Sequence, residues 1–262
     1  MVTLEPEEKL SPLKADIREY WNTHIHDLSV ARHPVGTKGF FKELDDYRFE
    51  KLDYLPKVVD FSGYRGKKVL EVGCGIAIDL LRFAREGARV TGVDLSQTAI
   101  DLAKKNFAQT SQRGDFRVMD GEHLQFEDNQ FDMVYAHGVL QYTANPVQML
   151  NEIKRVLKPG GHAILMVYNR LSWLNMLRKV TNVALEHEDA PVLRKFSIGE
   201  LKKMLRIFPR ARLVVERFPV KTRLHKGMKA VVYNSFFVGT FNALPRAMVR
   251  RFGWHIMAFA EK

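Results

Sequence analysis

The sequence predicts a doubly wound α/β domain, a largely parallel sheet with helices on both faces. Three observations predict it. Strand-length apolar runs alternate with amphipathic helices from Lys67 to Asn169, a glycine turn follows the first of those runs, and Pro159-Gly160-Gly161 precedes the fifth.

The residues before Lys67 read as helical. Ser11-Pro12 opens a helix that carries Ile17, Tyr20 and Trp21 on one side, and His33-Pro34-Val35-Gly36 punctuates it. A second helical run is expected over residues 40–61, where Phe41, Leu44, Phe49, Leu52 and Leu55 recur at three- and four-residue spacing and share one face.

Strands are then expected at 68–72, 89–94, 116–119, 131–136 and 162–169, with helices at 78–85, 97–107 and 147–157; Ser96 is the N-cap of the second helix. Beyond Asn169 the alternation loosens. Residues 171–186 look helical, Ser197 caps a helix running to Ile207, and strands at 211–218 and 253–260 bring the total to seven. The long segment between these last two strands, rich in Lys, Arg and aromatics, has the length of a lid or binding loop. The expected organisation is a helical N-terminal lid over residues 1–62 and a core domain over 63–262, with insertions at about 171–196 and 219–250.

Composition bounds the function. The single cysteine, Cys74, cannot form an internal disulfide, and no charged-then-apolar leader opens the chain, so a reducing cytoplasmic setting is expected. The longest apolar stretch, residues 231–244, is interrupted by Asn234, Ser235, Thr240 and Asn242, which argues against a spanning helix. The formal charge is +11, and residues 163–262 alone hold 19 Lys/Arg against 6 Asp/Glu, so the basic excess belongs to the C-terminal third.

The most informative segment is Glu71-Val72-Gly73-Cys74-Gly75-Ile76-Ala77. A buried strand runs into glycines that permit a sharp turn and close approach of a ligand, and the next helix presents its N-terminal amides at the same place. Asp94 ends the second strand about 20 residues further on, where a carboxylate can hydrogen-bond ribose hydroxyls. Asp120, followed by Gly121, ends the third strand within reach of an adenine. Each acid alone reads as a helix cap or turn residue; three strand ends converging on one nucleoside reverse that preference.

A nicotinamide dinucleotide fits less well. Ile78 stands where its fingerprint wants a third small residue, and the Glu71 carboxylate would oppose a pyrophosphate while suiting a ligand with an ammonium and a sulfonium.

These residues resemble the class I S-adenosylmethionine-dependent methyltransferases of the small-molecule type. Glu71-Val72-Gly73-Cys74-Gly75 is similar to their first motif, Val93-Asp94-Leu95-Ser96 to the acidic end of strand two, and residues 115–122 to the adenine-contacting segment. Residues 131–140 are similar to the fourth-strand motif, and Arg155-Val156-Leu157-Lys158-Pro159-Gly160-Gly161 to the turn before strand five. The resemblance implies a Rossmann-like seven-stranded sheet closed by an antiparallel C-terminal hairpin, with S-adenosylmethionine as cofactor. It implies that Glu71, Gly73, Cys74 and Gly75 surround the methionine moiety, Asp94 and Leu95 the ribose, and Asp120, Gly121 and Glu122 the adenine, with His137 beside the sulfonium. Ala77 stands where many members have a third glycine.

Methyl transfer mainly requires alignment and exclusion of water, and needs a base only when the acceptor arrives protonated. His137, at the mouth of the crevice, is the first candidate base, with Tyr142 nearby; its alternative is cofactor contact or packing. His24 and His26 flank the N-terminal lid, and His187 is a weaker candidate. The scattered histidines and lone cysteine indicate no metal site.

The basic third has three readings: a solvated face over an aromatic core, an apolar acceptor pocket lined by Phe236, Phe237 and Phe241 with cations drawing in an acidic or amphiphilic molecule, or a nucleic-acid surface. Nucleic acid ranks last, because the Asn-Pro-Pro-Tyr type motif is replaced by Ala136-His137-Gly138-Val139. The expected activity is methylation of a small organic acceptor at oxygen, nitrogen or carbon. A lipid or quinone methyltransferase in peripheral contact with a membrane and a non-catalytic cofactor-binding partner protein are the rivals.

Overall fold

The computed structural model describes residues 10–180, 187–219, 235 and 238–262. Seven strands form one sheet in the order β3-β2-β1-β4-β5-β7-β6. They are β1 (Lys68–Val72), β2 (Arg89–Asp94), β3 (Gly114–Val118), β4 (Phe131–His137), β5 (Leu157–Tyr168), β6 (Arg210–Glu216) and β7 (His255–Glu261). The first five run parallel, and β7 lies antiparallel between β5 and β6. The doubly wound, mostly parallel sheet with an antiparallel C-terminal hairpin is therefore present.

Helices cover both faces because successive strand residues point to opposite sides. Leu70, Val134, Ala136 and Leu165 pack under α6 (Pro146–Val156) and α8 (Ile198–Met204) through Leu150, Ile153 and Leu201. Val69, Met133, Tyr135 and Ile164 face α4 (Ile78–Arg85) and α5 (Gln97–Gln109) through Leu80, Phe83, Ile100 and Phe107. Both core clusters are closed to solvent, and their apolar burial is the main stabilising contribution.

Before the sheet lie α1 (Pro12–Thr23), α2 (Lys38–Lys51) and α3 (Leu55–Val58). The single helix expected over 40–61 is thus two. Leu52 leaves the helical region at φ −117° and ψ 50°, and Pro56, with no amide proton to continue the ladder, starts the second piece. The break turns Tyr54 inward.

Phe40, Phe41 and Leu44 of α2 pack on Leu102 of α5, and Ser96 Oγ at the start of α5 shares its one proton between Trp21 O and Asn22 Oδ1 of α1, each 3.0 Å away. The N-terminal helices are thereby held over the carboxyl ends of β1 and β2.

The fifth strand begins earlier than the sequence predicts. Leu157 already pairs with Phe131, and the Pro159-Gly160-Gly161 turn is absorbed as an irregularity before Met133 pairs with His162. Of the helix expected over 171–186, the described residues show α7 (Trp173–Val180); residues 181–186 lie outside the described residues. Phe236, Phe237 and residues 220–234 of the basic insertion lie outside the described residues. No helix among the described residues is long and apolar enough to cross a membrane.

Candidate active site

At the carboxyl ends of β1, β2 and β4, where the strand order reverses, a cleft of about 230 Å³ opens beneath α1 and α2. This is the expected ligand crevice of an open α/β sheet. Gly73 (φ 67°) and Gly75 (φ 52°) make the turn after β1 in the left-handed region, and Ala77 follows them there at 59°. A Cβ on Gly73 would stand 2.4 Å from Val139 Cγ2, so that position admits no side chain; above Gly75 nothing lies within 4 Å, which leaves its backbone open to a ligand.

Asp94 fastens this turn to β2. One carboxylate oxygen accepts from Gly75 N and the other from Ser96 N, both at 2.9 Å. Burial pushes its pKa up against these amide bonds. At the third strand end, Asp120 accepts from Glu122 N at 2.9 Å and from Lys14 Nζ at 2.5 Å.

Glu71 at the end of β1 is buried, and among the described residues its Oε2 has no hydrogen-bond partner. Burial and the neighbouring Asp79 charge raise its pKa well above the ordinary carboxylate value, with Arg48 opposing. An orphaned buried carboxylate oxygen is costly unless a ligand satisfies it. Beside it, Arg48 Nε donates to Asp79 Oδ1 at 2.6 Å, Arg48 Nη2 also pairs with Oδ2, and Tyr135 Oη donates to Oδ2 at 2.9 Å. Burial favours the neutral form of Asp79, but the Arg48 charge and these bonds outweigh it and hold the carboxyl below its ordinary range.

A second buried network continues from Arg48 across the cleft floor. Arg48 Nη2 faces His137 Nδ1 at 3.2 Å, His137 Nε2 lies 3.4 Å from Tyr54 Oη, Tyr54 Oη is 2.6 Å from His255 Nδ1, and Arg217 Nη1 is 3.0 Å from His255 Nε2. A guanidinium can only donate, so the ring nitrogen facing each arginine accepts. Both neutral imidazoles then carry their proton on the nitrogen facing Tyr54. Burial, followed by the Arg48 charge, pulls His137 down to about 3, and burial with the Arg217 charge takes His255 well below its ordinary value. Tyr54 is raised, chiefly by burial.

The sequence-predicted residues Glu71, Gly73, Cys74, Gly75, Asp94, Leu95, Asp120, Gly121 and His137 all line this cleft. Glu122 stands one layer behind it, accepting from Lys14 Nζ and Asn145 N at 2.7 Å and from Thr143 Oγ1 at 2.5 Å. Tyr142 and His24 also line the cleft. Tyr142 donates to Tyr168 Oη at 3.3 Å, while His24 stacks on Tyr20 at 4.0 Å with Nδ1 2.8 Å from Tyr20 O. His26 and His187 meet at the mouth, Nδ1 to Nε2 at 3.0 Å.

Arg48, Asp79, Tyr54, His255, Arg217 and Lys14 escape sequence reasoning. Asp79 has a weak signal, an acid in the first turn of the helix after the glycines. The others have none, since their meeting depends on how α2 crosses α4 and on β7 entering between β5 and β6.

Residues 70–165 match the family model for a methyltransferase domain. The chain is 30% identical over 154 residues to a ubiquinone biosynthesis O-methyltransferase of Alkalilimnicola ehrlichii, covering 56% of this chain and 62% of the relative. It is 34% identical over 131 residues to the protein of the same name from Dechloromonas aromatica, covering 50% and 55%. The matched region thus spans little more than half the length of these curated relatives. The fold is similar to that of geranyl diphosphate C-methyltransferase from Streptomyces coelicolor, solved with Mg²⁺, geranyl diphosphate and S-adenosyl-L-homocysteine, at TM-score 0.60 and 15% identity over 97% of this chain and 98% of the other. It is also similar to a SAM-dependent methyltransferase from Aquifex aeolicus, at TM-score 0.55 and 18% identity over 84% and 96%.

Proposed function

We propose that this chain, whose residues 70–165 match a methyltransferase-domain model, is a class I S-adenosylmethionine-dependent methyltransferase that moves a methyl group from S-adenosylmethionine to a small organic acceptor. The observation that carries the reading is the unpartnered, buried Glu71 Oε2 beside the open backbone of Gly75. That pairing of an anion with exposed main chain suits the ammonium and carboxylate of a methionine moiety.

In this reading Glu71 receives the ammonium, and the Gly73-Cys74-Gly75 turn with the start of α4 receives the carboxylate. Asp94 and Leu95 hold the ribose. Asp120 and Gly121 hold the adenine, and Glu122 supports them by fixing Lys14 and the segment around Asn145. Of the expected lid over residues 1–62, the described part, residues 10–62, acts as a lid over the core, an assignment supported by the ties from Lys14 and Trp21 to the strand ends.

When bound, the donor supplies a methyl carbon activated by a cationic sulfonium leaving group. The chain's own part is to align an acceptor in line with that carbon and to keep water out. Trp21 and Tyr142, edge to face at 5.1 Å, close the mouth for this purpose. His137, with both ring nitrogens engaged, acts as a positioning residue between the donor and acceptor ends. The acceptor end faces Arg217 and Tyr168, which favours an acidic or otherwise polar planar molecule; the nearby Lys51 is paired with Asp27 at 2.6 Å. Relatives named for O-methylation in ubiquinone biosynthesis support oxygen as the attacked atom.

Calorimetric titration with S-adenosylmethionine tests the reading. Saturable binding that Asp94→Ala weakens is expected, together with transfer of labelled methyl into a small-molecule fraction of a cell extract. No binding by the wild type sinks it; binding without transfer into any fraction favours a non-catalytic cofactor-binding protein.

A further inference from the structure

The far end of the cleft holds a cation whose partner is unusual. Arg217 directly follows the edge strand β6, four strands from β1 in the sheet order, and so lies at the acceptor end. Its backbone sits in the left-handed region at φ 59°, a conformation that favours glycine, and its carbonyl is fixed by Trp173 Nε1 at 2.8 Å and Trp254 N at 3.2 Å. The guanidinium is half-buried, and among the described residues it makes no ion pair with a carboxylate. Its partner is instead the neutral ring of His255 at 3.0 Å. A cation placed at a strained position and faced by an imidazole is short of an anion.

His255 is equally specific in its placement. Insertion of β7 between β5 and β6 sets it beside Tyr168 on one side and Glu216 on the other. It is buried, it lines the cleft, and its Nδ1 proton is held by Tyr54. Its Nε2 accepts from Arg217 Nη1 at 3.0 Å, its one printed partner among the described residues. Tyr168 stacks on His255 at 5.7 Å and on Trp254 at 4.5 Å, giving the subsite a flat wall.

Building on the methyltransferase reading above, we propose that Arg217 and His255 form the acceptor subsite. Arg217 binds the acidic group of a small planar hydroxy acid, and His255 Nε2 takes the proton of its hydroxyl during methyl transfer. Because the two recognition atoms lie one hydrogen bond apart, the acid group and the hydroxyl belong on adjacent ring carbons. In the step, the acceptor O–H bond breaks with its proton passing to Nε2, the O–CH₃ bond forms, and the donor's C–S bond breaks with its electron pair left on sulfur.

The arriving anion also prepares the base. Arg217, Lys51, Arg48 and His137 face His255 from the end of β6, from α2 and from β4, and with burial they keep its ring neutral. An anion that draws Arg217 onto itself uncovers Nε2 and offsets the nearest positive charge, both of which favour proton uptake. Tyr54 Oη then accepts from the Nδ1 proton and keeps the ring in place.

The test is binding of 2-hydroxybenzoate, benzoate and phenol, followed by tryptophan fluorescence with and without saturating S-adenosylhomocysteine. The wild type is expected to bind 2-hydroxybenzoate more tightly than either of the others. Arg217→Gln should weaken benzoate and 2-hydroxybenzoate by roughly tenfold to a hundredfold while leaving phenol and S-adenosylhomocysteine unchanged. Arg217→Lys should recover part of the loss. His255→Gln should retain benzoate binding but abolish the preference for the 2-hydroxyl. Equal binding of the carboxylates by wild type and Arg217→Gln, or no binding of 2-hydroxybenzoate by protein that binds S-adenosylhomocysteine, overturns the proposal. Failure to bind S-adenosylhomocysteine defeats the cofactor reading instead, and the benzoate titration still judges Arg217.

Discussion

Lys14 on the first helix reaches across to the end of the third strand, with its Nζ 2.5 Å from Asp120 Oδ2 and 2.7 Å from Glu122 Oε2. Its side chain is 14% exposed, so the contact is largely sheltered from screening. Burial works against the charged amine, but the two carboxylates outweigh it and raise the Lys14 pKa; the same contact holds Glu122 below its ordinary value despite its own burial. The ion pair therefore contributes fully at neutral pH. It is lost as pH falls through the depressed Glu122 pKa, or rises through the elevated Lys14 pKa.

Lys14→Met removes this tie without removing bulk. The expected result is faster dissociation of S-adenosylhomocysteine in stopped-flow chase, about threefold to thirtyfold, with a thermal midpoint changed by only a few degrees. An unchanged dissociation rate would show that α1 does not gate the cleft.

Glu71→Gln separates binding from stability. Because the folded-state pKa of Glu71 is raised, its contribution is favourable at low pH and is lost as pH rises above about 4.5. At neutral pH the carboxyl costs stability in the empty protein. Glutamine should therefore leave the empty protein as stable or more stable by calorimetry, while weakening S-adenosylmethionine about tenfold to a hundredfold because the ammonium loses a charged acceptor.

The Asp79 carboxylate is needed for a different reason. Its side chain is 1% exposed and Arg48's 16%, so removing one partner leaves a buried charge unpaired. Asp79→Asn should cost about 3–5 kcal/mol, seen as a fall of roughly 10 °C in the unfolding midpoint. The double variant Arg48→Met/Asp79→Leu should recover much of that loss, because neither charge is then left buried and unpaired.

These residues also mark what could be read from the sequence. Glu71, Gly73, Gly75, Asp94 and Asp120 sit at strand ends in one local βαβ pattern, so periodicity and turn chemistry bring them together on paper. The parallel sheet with helices on both faces follows from the same alternation; its strand order does not. Arg48 is invisible to that reasoning because its role arises from α2 crossing α4, 31 residues from Asp79. His255 and Arg217 are invisible because β7 enters the sheet between two strands that precede it in the chain. The split at Leu52 was hidden by a helical spacing that continues through Pro56, and it is this split that turns Tyr54 to the histidines.

The two buried histidines predict how the protein responds to acid. His137 is pulled down to about 3 and His255 is also depressed, so both are neutral in the folded chain where an unfolded chain would already bind protons. Depressed pKa values give stability that is fully present above about 6.5 and lost as pH falls toward the folded-state value. Each histidine should add a slope of about 1.4 kcal/mol per pH unit to the fall in unfolding free energy below pH 6. Urea unfolding at pH 7, 6, 5 and 4 measures it. His137→Gln should flatten the slope by about one proton's worth while leaving stability at pH 7 within about 2 kcal/mol of wild type. A slope unaltered by His137→Gln would mean that the ring protonates in the folded state, and that Arg48 does not hold Nδ1 as its acceptor.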